Sequence, residues 1–441
     1  MEFWRSITPP LLRLWQSGGV WLLVSAGVSK VLGIVRDNLL LSLYHDPHTV
    51  DAIFTAFRVP DFFFALLISG TVASLLLPRV SALGEAEQRQ CTQSFLWGVI
   101  LLFGVVVGVA IVLAPWLLRV FASGFTPAEQ LQILPLVRLL FGSVYLLAVS
   151  SVFSASLQQQ HHYGWISLSP VLYTGGICLL LSRALGTDVP LAYTGVAAIT
   201  GAGLHLLATV LGYRLHGGGF GWSWRTPLSA FMGFWKDFSQ RVANGSVFQV
   251  NYTVDILIAQ HLVAGAVTAT SIGINTGHVL LSLLAYPVAQ YVFPHLTRAQ
   301  GNFTRQWSVL RRTLQLLLLL TVPVCLVAAV LSPWLIPAVF RSLTGPTLTA
   351  TVQIFTIVVL SLPFACCIPV LSRLFLANND ARTPLRISII ALGTGSLLSL
   401  LLSFFVLPEP SAVLGIAMGT AVANALSALL YAWHLRRYLL A

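Results

Sequence analysis

Along the 441 positions, apolar residues gather in long blocks, and polar residues are confined to short gaps between them. A helix needs about 20 mostly apolar residues to cross the hydrocarbon core of a bilayer. Twelve blocks meet that length: 19–43, 52–78, 94–118, 132–157, 164–182, 190–213, 229–260, 268–294, 312–340, 350–377, 385–407 and 411–433. The longest hydrophilic connections are Arg79–Gln93, Arg214–Thr226 and His295–Arg311. These blocks predict an all-α membrane protein with about 12 transmembrane helices.

Composition narrows the function class. The chain is 57% apolar and 8% charged, against roughly 25% charged residues in soluble domains. A water-soluble enzyme is excluded. A net charge of +11 would suggest nucleic acid in a soluble protein, but in a membrane protein it first reports topology. With the N terminus in the cytoplasm, 15 of the 24 basic residues fall on inner loops and ends, and only Arg119, Arg183 and Arg341 on outer loops. That bias predicts cytoplasmic N and C termini in a bacterial inner membrane, and no nucleic-acid partner. Residues 1–18 hold Pro9, Pro10, Arg5 and Arg13 and read as an interfacial segment rather than a cleaved signal. The five cysteines show no metal-binding spacing, and neither nucleotide-binding nor hydrolase motifs occur. The outer loops, such as Leu407–Pro410, are too short for a catalytic domain. The expectation is a transporter, with no catalytic residue, no metal and no cofactor.

The two halves echo each other. Leu77-Pro78-Arg79-Val80-Ser81 closes the second block, and Phe293-Pro294-His295-Leu296-Thr297 closes the eighth, 216 positions later. Leu157-Gln158-Gln159-Gln160 closes the fourth, and Leu376-Ala377-Asn378-Asn379 closes the tenth, 219 positions later. The organisation expected is a six-helix lobe over 19–215, a cytoplasmic glycine-rich linker over 216–228 and a second six-helix lobe over 229–441. An even number of spans per half makes the repeats parallel, related by a pseudo-two-fold axis along the membrane normal.

Six basic residues remain within spans, and they carry the functional question. A charge at the bilayer centre costs about 2.5–3.5 kcal/mol on insertion scales, so such a side chain faces a partner or a wet cavity. The first span holds Lys30, Arg36 and Asp37; the second holds Arg58 and Asp61, with Asp51 at its start. Lys30 and Asp37 lie two helical turns apart on one face, with Arg36 beside it. Asp51 and Arg58 share the same spacing. Two readings stand: a cationic lining for an anionic headgroup, built from Lys30, Arg36, Asp37 and Arg58, or mutual ion pairing of these groups. The second half offers Asp255, a candidate site for a coupling cation or proton, with Asn275 on the eighth span as a further substrate-binding candidate and His278 one turn on as a proton relay or a hydrogen-bonded core histidine. Arg138 and Arg373 lie near helix ends, where snorkelling accounts for them.

The stretches Val31-Leu32-Gly33-Ile34-Val35-Arg36-Asp37 and Asp51-Ala52-Ile53-Phe54-Thr55-Ala56-Phe57-Arg58-Val59-Pro60 resemble the opening of the MurJ/MviN family. Those proteins are lipid II flippases of the multidrug/oligosaccharidyl-lipid/polysaccharide exporter superfamily. Leu75–Ser81 and Asp380-Ala381-Arg382-Thr383-Pro384 are similar to later motifs of that family. The resemblance covers nearly the whole chain. It implies alternating access around a central cavity, with a lipid-linked anionic saccharide as substrate, membrane lipids as surroundings and cell-wall or polysaccharide synthesis enzymes as partners. It also implies that Lys30 and Arg36 hold the pyrophosphate, and that Asp255 occupies a position linked to sodium in some members.

The sequence departs from the family at several points. Phe64–Gly70 carries no charge where the family is arginine-rich, and Asn275 stands where an arginine is usual. Gly395 and Ser399 stand where the family has polar and acidic positions, and the twelve blocks give no counterpart of its usual extra pair of C-terminal helices. Lipid II translocation is the leading expectation. The alternatives are another polyprenyl-pyrophosphate-linked glycan, a cation-coupled antiporter, and a non-transporting scaffold of the same fold.

Overall fold

The computed structural model describes residues 19–67, 84–219, 249–378, 380 and 382–440. The interfacial segment 1–18, the end of the second span, most of the linker, Lys236 and Arg241 lie outside them. Among the described residues the secondary structure is helical throughout. In chain order the helices are α1 Gly19–Leu43, α2 Pro47–Leu67, α3 Glu85–Phe121, α4 Pro127–Gln159, α5 Tyr163–Ala184 and α6 Ala192–Leu215. After the linker come α7 over 249–259, then α8 Ala266–Arg298, α9 Phe303–Val339, α10 Gly345–Ala377, α11 Arg382–Leu401 and α12 Leu414–Leu440. Among the described residues, nine helices are long and apolar enough to cross a membrane.

Helix starts follow local chemistry. Thr126 and Glu129 form a reciprocal capping box at α4, with Pro127 in the first turn. Asp46 accepts the Thr49 N–H at 2.8 Å and starts α2, and Asn302 accepts the Arg305 N–H at 3.0 Å and starts α9. Proline-rich α9 and α10 remain continuous helices. In lipid, neighbouring helices and local adjustments re-satisfy the backbone groups that proline frees.

The chain divides into two compact units, 1–45 with 55–246, and 46–54 with 247–441. The division therefore cuts α2: its first turns, including Asp51, belong to the second unit, and Arg58 and Asp61 to the first. The expected N-terminal lobe of 19–215 holds the whole second span, with Asp51 and Arg58 seven residues apart on it. The partition separates them.

Within each unit the packing repeats. In the first, α4 packs on α6, α3 on α4, and α5 on α6; in the second, α10 packs on α12, α9 on α10, and α11 on α12. The correspondence is fourth-on-sixth, third-on-fourth and fifth-on-sixth in both, as an internal repeat requires. Between lipid-immersed helices, close van der Waals fit replaces the hydrophobic effect, so small residues mark the tightest crossings. On α11, Gly395 and Ser399 meet Gly419 and Ala423 of α12. A Cβ on Gly395 would lie 2.6 Å from that of Ala423. The opposite situation holds on the outer face of α9, where Leu319 and Val330 are 74% and 67% exposed, as lipid-facing side chains are.

Candidate functional site

In the first unit the intramembrane charges converge on Arg36. Its Nε and one terminal nitrogen donate to the same Asp37 oxygen, at 3.0 and 2.7 Å. The guanidinium carbon lies 5.8 Å from the Phe57 ring centroid, a cation–π distance. Because the guanidinium is planar and rigid, these two contacts also set where its other N–H groups point, while the Arg36 side chain keeps 28% of its surface and Asp37 keeps 12%. A paired yet accessible guanidinium suits a phosphate ligand: the carboxylate orients it, and the outer donors form charge-assisted bonds. The ion-pair reading and the cationic-lining reading thus meet in one residue pair.

The other candidates take different places. Arg58 is buried on α2, whereas Asp61, one turn on, is exposed. Lys30 is exposed on α1, two turns before Asp37. Tyr173 of α5 escaped the sequence reading. It lies within electrostatic reach of both Arg36 and Asp61. Its carbonyl sits in tight contact with Gly201 of α6, which fixes the α5 backbone where the phenol leaves it. An isolated tyrosine in an apolar block carries no sequence signal of that role.

In the second unit, Asp255 of α7 is 2% exposed. One of its oxygens accepts from Asn251 at 3.3 Å and from Thr420 of α12 at 3.5 Å. Its other oxygen is buried with no hydrogen-bond partner. Asn251 in turn accepts from Ser396 of α11 at 2.8 Å, and Ser399 also bears on the carboxylate. An orphaned carboxylate oxygen beside hydroxyl groups fits a monovalent cation or a proton, since either removes the cost of the bare charge. Asn275 is exposed on α8, and His278 is half-buried. Arg138 is exposed, and Arg373 stacks on Phe293 at 5.1 Å.

Asp51 also escaped assignment. Its carboxylate accepts the Gly265 N–H at 2.7 Å, the Thr268 N–H at 2.7 Å and the Thr268 hydroxyl at 2.6 Å. The N-cap residue of α8 is Gly265, which has no side chain, and Asp51 supplies the capping carboxylate from more than 200 residues earlier in the chain.

A family model described as "Lipid II flippase MurJ" matches residues 46–440. The chain belongs to that family. A probable lipid II flippase MurJ of Rhizobium tropici is 25% identical over 419 residues, covering 91% of this chain and 77% of the relative. The corresponding protein of Thermotoga maritima is 23% identical over 397 residues, covering 89% and 80%. Among solved structures, a lipid II flippase MurJ in an inward closed conformation superposes with a TM-score of 0.79 at 19% identity, covering 95% of this chain and 87% of the other. An inward-facing multidrug-resistance MATE transporter of the MOP superfamily gives a TM-score of 0.70 at 14% identity, covering 94% and 98%. The two-lobe, all-helical fold of MurJ and MATE transporters is therefore this chain's fold, and it is a multi-pass membrane protein of a transporter family.

Proposed function

We propose that the chain translocates lipid II, the lipid-linked peptidoglycan precursor, across the bacterial inner membrane by alternating access, with both termini in the cytoplasm. The observation that carries this reading is the Arg36–Asp37 pair, an oriented and accessible guanidinium inside a span. Lys30 adds a second cation to the same helix. The pyrophosphate binds these cations while the polyprenyl tail stays in lipid, so no bond in the substrate is made or broken. A cation or proton at Asp255 supplies the driving gradient; the orphaned oxygen supports that assignment.

A second reading has its own support. The eighth span offers Asn275, exposed and neutral, and fewer cations mean a weaker demand for the lipid II headgroup. Another polyprenyl-pyrophosphate-linked glycan then replaces lipid II. Binding measured by native mass spectrometry separates the two. Retention of lipid II over a polyprenyl-pyrophosphate-linked glycan without peptide, lost in Arg36→Ala, supports the first. Preference for the peptide-free glycan supports the second.

A further inference from the structure

A second polar cluster in the first unit has no part in the headgroup reading. Ser150 of α4 and Thr209 of α6 are both fully buried. The Ser150 hydroxyl lies 2.6 Å from His205 Nδ1 and 3.0 Å from the Thr209 hydroxyl. Thr209 Oγ1 is itself 2.9 Å from the Leu206 carbonyl oxygen.

Proton counting gives this chain a direction. A carbonyl oxygen only accepts, so the Thr209 proton goes to Leu206. Thr209 then accepts from Ser150, and Ser150 accepts from His205 Nδ1–H. The reverse order would leave the Thr209 and Leu206 oxygens 2.9 Å apart with no proton between them. The imidazole is therefore held as the Nδ1–H tautomer, and Nε2 carries a bare lone pair.

That lone pair does not face lipid. The lipid-facing stripe of α6 contains Val196, Leu207, Leu211 and Leu215, all at least 45% exposed. At 100° per residue His205 points about 130° away from the middle of this stripe. Its helical face is otherwise closed, with Ala202 at 0% and Ala208 at 3% exposure. Yet His205 itself is only half-buried, so part of its ring stays accessible on this face. Packing links this position to Arg36 in steps. Cys178 Sγ of α5 lies 3.4 Å from the Leu32 carbonyl of α1. Tyr173 of α5 is in electrostatic reach of Arg36, and its carbonyl abuts Gly201, one turn before His205 on α6.

We propose that His205 Nε2 is a hydrogen-bond acceptor subsite that receives a hydroxyl or amide N–H of the saccharide carried by the substrate. The assignment rests on the headgroup reading above. Arg36 and Lys30 offer donors alone, and so recognise phosphate oxygens; a phosphate in turn has no proton to give Nε2. The sugar supplies what Nε2 lacks. The two sites thus divide the substrate by chemistry: donors for the pyrophosphate, an acceptor for the glycan.

Two measurements test this. In ¹⁵N-histidine spectra of the lipid-reconstituted protein, the His205 signal, assigned by difference with His205→Gln, shows a protonated Nδ1 and an unprotonated Nε2. Ser150→Ala, which removes the acceptor, relaxes that preference. The opposite tautomer overturns the proposal irrespective of substrate. In binding assays, His205→Leu weakens lipid II by about five- to tenfold, the worth of one hydrogen bond, and leaves sugar-free polyprenyl pyrophosphate unchanged. Arg36→Ala weakens both. Equal loss of the two ligands in His205→Leu, or of neither, contradicts the subsite. Failure of the native chain to bind either ligand would instead overturn the headgroup reading.

Discussion

Asp51 and Thr268 stand 217 residues apart, and one carboxylate oxygen of Asp51 accepts both the N–H and the hydroxyl of Thr268. The other oxygen takes the Gly265 N–H, so the first turn of α8 is capped by a residue from the start of α2. Asp51→Ala orphans two buried backbone donors and lowers unfolding stability by about 2–4 kcal/mol. Thr268→Val removes one of three bonds and costs less. Thermal unfolding in detergent ranks them; equal midpoints for Asp51→Ala and the native chain would show that the cap contributes nothing.

The crossing of α11 and α12 sets a steric limit. A side chain at Gly419 meets the Ser399 hydroxyl and the Gly395 carbonyl, and both belong to a helix that cannot retreat without opening the Asp255 surroundings. Gly419→Ala is expected to destabilise, and Gly108→Ala, where nothing lies within 4 Å, to be neutral or stabilising by about 0.5–1 kcal/mol. The pair shares its chemistry and differs only in space, so matching melting temperatures would refute the close approach.

Asp255 gathers polar groups from three helices: the Asn251 amide N–H beside it, Ser399 on α11 and Thr420 on α12, with Ser396 of α11 donating to Asn251 behind them. In proteoliposomes, Asp255→Asn is expected to reduce transport under a sodium or proton gradient to the rate without one. Thr420→Val is expected to weaken the response partly. Native gradient dependence in Asp255→Asn would remove this site from coupling.

At the end of α6, outside the spans, the His162 and His216 rings stack with centroids 3.5 Å apart. Burial first, then the neighbouring His216 and His161, hold His162 below its ordinary value. The unstacked imidazole takes a proton more readily, so the stack is fully favoured above about pH 6.5 and weakens as pH falls below it. Hydrogen exchange across Gly217–Gly219, corrected for intrinsic rates, should be faster at pH 5.5 than at 7.5. Identical protection at both would exclude the dependence.

Much of this architecture was legible because bilayer length and helical rise leave one solution for a block of apolar residues. The intramembrane charges were equally visible, since Arg36 and Asp37 are costly wherever lipid surrounds them. Their geometry was not. Helical spacing set Lys30 and Asp37 on one face, but the flexible Arg36 side chain folds back onto its sequence neighbour. Spacing sets Asp51 seven residues from Arg58, whereas its partner on α8 follows only from tertiary contact. Asn251, Ser396 and Thr420, like the Ser150–His205–Thr209 chain, are ordinary polar residues until distant helices bring them together.

The central claim is that Arg36, held by Asp37, carries the headgroup of a lipid-linked pyrophosphate across the bilayer. Its most direct test is the translocation of fluorescent lipid II in liposomes holding the purified protein. The account predicts translocation by the native chain and its loss in Arg36→Ala, with membrane insertion and melting temperature retained. Undiminished translocation by a folded Arg36→Ala protein would contradict it.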